Sequence, residues 1–159
     1  MVVTQHMPPG FTAMYAEGLD QSCAMSVREA QDGDEVVRGR VLIAPGDKHM
    51  EVVLKGKTPY VRCYSGQKVN GHCPSVDVLF FSVAKTMGRN AVGMILTGMG
   101  ADGARGITEM RRKGAFTIGQ DEKSCIVYGM PREAYEMGGI SRQISLELMP
   151  TVLLAHLKG

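Results

Sequence analysis

The stretch "AVGMILTGMGADGARGITEMRRKGAFTIGQD", residues 91–121, constrains the fold more than any other part of the chain. It reads as a strand, a glycine-rich turn, a helix, a glycine stop and a second strand, a βαβ unit of the usual length. The strands of such a unit are parallel, and a parallel sheet is covered on both faces by its crossover helices. The chain is therefore expected to be an α/β protein.

The rest of the sequence supplies matching pieces. Val2, Val3 and Thr4 read as a strand, "GFTAMYAEGLDQSC" places Phe11, Met14, Tyr15 and Leu19 on one helical face, and "AMSVREA" is strand-like, which makes another βαβ unit. Residues 32–64 change period: Val41, Leu42 and Ile43 form a buried run, and two alternating segments flank Gly56-Lys57 as a hairpin, so this stretch is expected to be an antiparallel insertion. "SVDVLFFSVAKTMG" puts Val76, Leu79, Phe80, Val83, Ala84 and Met87 on one helix face, with Ser75 as N-cap. Helices are expected at about Pro131–Met137 and Leu146–Leu157. With no internal repeat, linker or low-complexity segment, residues 1–159 are expected to form one domain. The predicted architecture is a three-layer, doubly wound, mostly parallel sheet with an antiparallel hairpin insertion.

Composition narrows the function. The 18 basic and 16 acidic residues are interspersed, with a formal charge of +2 and no long run of one sign, which argues against a nucleic-acid partner. The longest apolar run is too short to span a membrane. Cys23, Cys63, Cys73 and Cys125 are too widely spaced for a C-x-x-C pair and read as free thiols of a reducing cytoplasm. No secretory signal pattern is present. Most of the 12 methionines are expected to fill the core.

Three readings compete at the central turn. Gly98-Met99-Gly100-Ala101-Asp102-Gly103 matches G-x-G-x-x-G, with Asp121 at the end of the following strand, as in a dinucleotide site. Asp102 counts against it, because a carboxylate would occupy the helix N-terminus where a pyrophosphate needs bare N–H groups. Asp102 as a simple helix cap is the second reading. In the third, the turn offers main-chain N–H groups as an oxyanion hole while Asp102 holds a histidine, and His6, beyond the end of the first strand, is the candidate base on the same sheet edge. Gly56-Lys57-Thr58 lacks the first glycine of a phosphate loop, since residue 51 is Glu51. His49, His72 and His156 have no second ligand at metal spacing and read as surface or packing residues.

The segments "VVTQHMPPGFT", "VLIAPGDKHM", "PSVDVLFFSVAK", "ILTGMGADGARG" and "SCIVYGMPREA", in this order and from end to end of the chain, resemble the catalytic domain of chemotaxis protein-glutamate methylesterases, the CheB family. The resemblance implies a serine hydrolase that cleaves glutamyl methyl esters on the cytoplasmic domains of chemoreceptors and deamidates some of their glutamines, with no cofactor and no metal. It matches His6 to the general base, Asp102 to the acid that orients it, and the Met99 main-chain N–H to an oxyanion-hole donor. The family's nucleophilic serine lies in a glycine-rich turn ahead of the histidine strand. None of Ser22, Ser26, Ser65, Ser75, Ser82 and Ser124 matches it. The chain is accordingly expected to lack that first strand and turn, and the receiver domain that usually precedes them, and to be inactive alone. Cys73 stands where family members commonly carry arginine. The alternatives from other classes are a nucleotide-binding module on Gly98–Gly103 with Asp121 on a ribose, and a non-catalytic fragment that docks on receptors.

Overall fold

A computed structural model describes residues 1–158, which fall in two compact units, Met1–Ser82 and a second that begins at Val83. Each is built around parallel strands, and the mixed α/β class with an antiparallel hairpin is the one the sequence predicts.

In the first unit, β1 (Val2–Val3), β3 (Arg40–Ile43) and β2 (Ser26–Glu29) form a parallel sheet in the order β1-β3-β2. β3 is thus the central strand of a parallel sheet, and the antiparallel insertion is shorter than expected. The consecutive burial of Val41, Leu42 and Ile43 is what a strand covered on both faces requires. Helix α1 (Phe11–Ser22) follows β1, and its Ala16, with Tyr15 and Leu19 at the margin, packs on Val27, Val41 and Ile43. The expected apolar face is only half right. Phe11 and Met14 are exposed, while Thr12 is buried, its hydroxyl accepting the Gly46 N–H at 3.0 Å and donating to Glu29.

The hairpin joins β4 (His49–Lys55) to β5 (Thr58–Tyr64) through Gly56-Lys57, with Gly56 at φ 65. The candidate phosphate-loop fragment is therefore a hairpin tip. Met50 opposite Cys63 and Val52 opposite Val61 form the buried face, and Glu51 opposite Arg62 adds an ion pair on the other. Helix α2 (Val76–Thr86) opens with Ser75 in the N-cap place, its Oγ accepting the Val78 N–H at 3.5 Å.

In the second unit, β6 (Val92–Ile95), β7 (Phe116–Gln120) and β8 (Arg142–Ile144) are parallel in that order, and α3 (Ala104–Arg112) makes the crossover from β6 to β7. Ala104, Ile107 and Met110 face inward, and α3 ends at Gly114 (φ 88), where the Ala115 N–H reaches back to Met110 O and the Gly114 N–H to Arg111 O, a Schellman ending. Helix α4 (Met130–Glu136) begins with Pro131 in its first turn. The expected C-terminal helix is divided into a 3-10 turn at Leu146–Leu148 and α5 (Met149–Lys158). Pro150 is the reason, since it cannot lie in a helix interior but fits a first turn. The methionines also divide: Met50, Met110, Met130 and Met149 are core, whereas Met14, Met25, Met99 and Met137 are exposed. Among the described residues no helix is long and apolar enough to cross a membrane.

Candidate active site

In the first unit the chain leaves β1 and turns at His6. The Met7 N–H donates to Gln5 O at 2.9 Å, so His6 is the central residue of a γ-turn, a common way for a strand to end. The turn is braced from behind by Gly46. A Cβ on that residue would stand 2.4 Å from Pro9 N and 2.6 Å from the Pro8 carbonyl carbon, so only glycine lets the 45–46 loop lie against the His6 turn.

His72 covers the ring of His6. The two imidazoles stack with centroids 3.7 Å apart and planes 7° from parallel. His72 is carried by a tight turn in which Val69 and His72 exchange both main-chain hydrogen bonds at 2.9 Å, with Asn70 at φ 53 and Gly71 at φ 82. Positive φ at both central residues is the I′ hairpin turn that Asn-Gly favours. The Asn70 side-chain amide donates to the carboxylate of Asp77 at 2.8 Å, and Asp77 is itself buried in the first turn of α2. His49 is a core residue: the Ser75 N–H donates to its Nδ1 at 3.3 Å, which places the ring proton on Nε2, donating to Gln67 O at 2.9 Å. His156 stacks on Phe116.

In the second unit the loop after β6 is tied down at its start, where a short arch begins. The Thr97 N–H donates to Oε1 of buried Gln120 at 2.8 Å, and Gln120 Nε2 donates in turn to Ser124 O at 2.7 Å. The Thr97 hydroxyl accepts the Val127 N–H, Gly98 N–H donates to Val127 O, and Gly98 O accepts the Met130 N–H. Just beyond these anchors Met99 stands out at 82% exposure, and among the described residues its N–H takes no intramolecular acceptor. Gly129 permits the arch: a Cβ there would lie 2.6 Å from Gly98 O and 3.2 Å from the Met99 Cα.

Asp102 is 1% exposed and stands one residue ahead of the N-cap of α3, which is Gly103 at φ 95. The dinucleotide reading loses its geometry. The first glycine of the fingerprint spends its amide on Val127, and Asp121 is turned into its own loop, accepting the Ser124 N–H and hydroxyl at 2.9 and 2.7 Å. Those bonds hold its carboxyl below the usual carboxylate range.

Other nucleophiles are poorly prepared. Burial pushes the Cys73 and Cys125 thiols up, so near neutral pH they stay protonated. The hydroxyls of Ser22 and Ser124 are committed to local acceptors, and Ser82 Oγ donates to Leu79 O at 2.6 Å while accepting the Val52 N–H. Among the described residues no group of three or more His, Cys, Asp or Glu side chains could hold a metal.

His6, Asp102 and Met99 thus each occupy the segment just past the carboxyl end of a parallel strand, His6 after β1 and the other two after β6. The sequence reading gives His72 only a surface or packing place and assigns nothing to Gly46 or Gly129. The Asn70-Gly71 pair was the available signal for the turn carrying His72; the two glycines act on residues too distant in sequence for local pattern to reveal.

Comparison with known proteins agrees with the motif order. The CheB methylesterase family model matches residues 1–153. The protein-glutamate methylesterase/protein-glutamine glutaminase 2 of Syntrophomonas wolfei is 57% identical over 152 residues, covering 96% of this chain and 45% of that protein. The enzyme of the corresponding name from Salmonella typhimurium is 54% identical over 159 residues, covering 100% of the chain and 46% of its own length. The chain therefore spans about half the length of these curated relatives. The crystal structure of the Thermotoga maritima CheB methylesterase catalytic domain superposes with a TM-score of 0.93 at 36% identity, covering 97% of this chain and 82% of that one. On sequence and fold together, the chain belongs to the CheB methylesterase family.

Proposed function

We propose that residues 1–159 are the bulk of one methylesterase catalytic domain of a protein that removes methyl groups from glutamyl esters of chemoreceptor cytoplasmic domains, and deamidates glutamines there, in the cytoplasm. The longer protein would join it to a receiver domain. The observation that carries the reading is the arch at residues 97–103, which sets exposed Met99, whose main-chain N–H has no intramolecular acceptor among the described residues, three residues from buried Asp102. A nucleotide site has no use for that carboxylate, and a hydrolase needs both groups.

The roles follow from the chemistry. A serine hydroxyl attacks the ester carbonyl as His6 takes its proton, the Met99 N–H donates to the developing oxyanion, and protonated His6 gives the proton to the departing methoxide, releasing methanol. Water then repeats the sequence on the acyl-enzyme, and with a glutamine substrate ammonia is the first product. Asp102 holds the imidazole in the tautomer the cycle requires. The serine is assigned to the turn that the family carries ahead of the His6 strand, and no serine of this chain is given that part.

The test is methanol release from methylated receptor membranes by the 159-residue chain and by the same chain joined to the N-terminal part of its longer relatives. Turnover is expected only from the longer protein, with Asp102→Asn reducing it by about 10⁴, the loss known for the equivalent change in a serine protease. Activity of the 159-residue chain that disappears on mutating one of its own serines would overturn the nucleophile assignment. Receptor binding without turnover by the longer protein would favour a docking module.

A further inference from the structure

We propose that His72 is a positioning residue for His6: its imidazole is a flat wall that fixes the plane in which His6 works. This rests on the reading of His6 as the general base and adds a residue that the motif does not assign.

A histidine that takes a proton on one nitrogen and is oriented through the other must keep both ring edges open and its plane fixed. Its χ2 torsion is broad and has no deep staggered well, so the side chain alone does not supply that plane. A group placed edge-on would compete for one of the nitrogens. A ring laid on the face does not, and the 3.7 Å separation and 7° tilt place His72 on the face of His6. His6 is the central residue of a γ-turn, and the stacked ring of His72 restrains its χ2 torsion from the face.

The wall is itself fixed. His72 is the last residue of the Val69–His72 turn, closed by two main-chain bonds at 2.9 Å and pinned through Asn70 to buried Asp77 at the start of α2. This is a buried acid, a side-chain amide, a I′ turn and a ring in series, and it is a costly arrangement for a surface loop unless the ring has a task. Stacking needs a flat π-face rather than an imidazole, so an aromatic residue should replace His72 and an aliphatic one should not.

Two measurements test this. In the 159-residue chain, NMR of the His6 ring protons reads the stack without any catalysis. His72→Ala should remove the ring-current displacement of the His6 Cδ2–H and Cε1–H signals, while His72→Phe should keep one. In the longer protein, His72→Ala should lower kcat by about 10- to 100-fold, the scale of a small misplacement of a reacting group, with KM within about two-fold, and His72→Phe should recover most of it. The inference is overturned if His72→Ala leaves kcat within about two-fold of wild type, if the loss falls on KM, or if His72→Phe is as impaired as His72→Ala, which would make the imidazole itself catalytic. A wild-type longer protein that releases no methanol would refute the methylesterase reading instead, and the NMR comparison would still decide the stack.

Discussion

Gly46→Ala isolates the brace behind His6. The φ of Gly46 is not in the left-handed region, so alanine meets no backbone penalty, and its Cβ fails only by collision. The nearest atoms are Pro9 N at 2.4 Å and the Pro8 carbonyl carbon and Pro9 Cα at 2.6 Å, all of them main chain, so no side chain can swing aside. The first distance must open to at least 3.0 Å, either by moving the 45–46 loop away from α1, at the expense of the Gly46–Thr12 hydrogen bond, or by displacing the Pro8-Pro9 turn and His6 with it. Overpacking of this kind costs about 1–3 kcal/mol, and the entropy that alanine removes from the unfolded chain returns about 0.4–1 kcal/mol. The net loss of about 1–2 kcal/mol corresponds to a Tm lower by roughly 2–8 °C for a domain of this size. Thermal unfolding followed by far-UV circular dichroism measures it on the 159-residue chain. A Tm equal to or above wild type would refute the reasoning, because it would mean that the loop yields without resistance.

Gly18→Ala is the matching control: nothing lies within 4 Å of the added Cβ inside α1, so a gain of about 0.5–1 kcal/mol is expected and a lower Tm would contradict it. Gly129→Ala should lower kcat of the longer protein far more than it raises KM, since Gly98 O and the Met99 Cα lie in the way and the donor at Met99 is displaced; unchanged kcat would separate that loop from catalysis. Burial, with the charges of Asp32 and Asp34 behind it, pushes the Cys63 thiol up to about 11 from 9.0. The folded state therefore holds this proton more tightly than the unfolded one, and the contribution is complete below about pH 9 and lost as pH rises toward 11. Chemical denaturation at pH 8 and pH 10.5 should show a larger alkaline loss in wild type than in Cys63→Val, and equal losses would contradict the burial.

Legibility in the sequence tracked the range of the interaction. The strand, glycine turn, helix and strand of residues 91–121 formed as read because their signals are local: hydropathy period, the positive φ of Gly103 and Gly114, and the Schellman bonds at the end of α3. The hairpin around Gly56-Lys57 was visible for the same reason. The face of α1 differs from the hydropathy pattern because Thr12 is buried for its hydrogen bonds to Gly46 and Glu29, partners 34 and 17 residues away, which such a pattern cannot register. The sequence reading assigns Val41–Ile43 to the antiparallel insertion, although a run buried on both faces is the mark of a parallel strand, as β3 is. At the candidate site, His6, Asp102 and Met99 stand in motifs, whereas His72, Gly46 and Gly129 matter through contacts that only the folded backbone creates.

The side chain of Gln120 gives the Met99 arch an unusual lifetime. Loop amides commonly exchange their hydrogens through small local openings that leave the rest of a protein undisturbed. The Thr97 N–H cannot do so cheaply, because its acceptor is the amide oxygen of a residue buried at the end of β7, the central strand of its sheet, and the same amide's nitrogen is bound to Ser124 O. Freeing that hydrogen means disturbing a strand end and a second loop together. Two residues further on, the N–H of exposed Met99 has no intramolecular acceptor among the described residues and no such guard. In deuterated solvent the arch would therefore hold, side by side, one hydrogen with the persistence of the sheet interior and another that leaves almost at once.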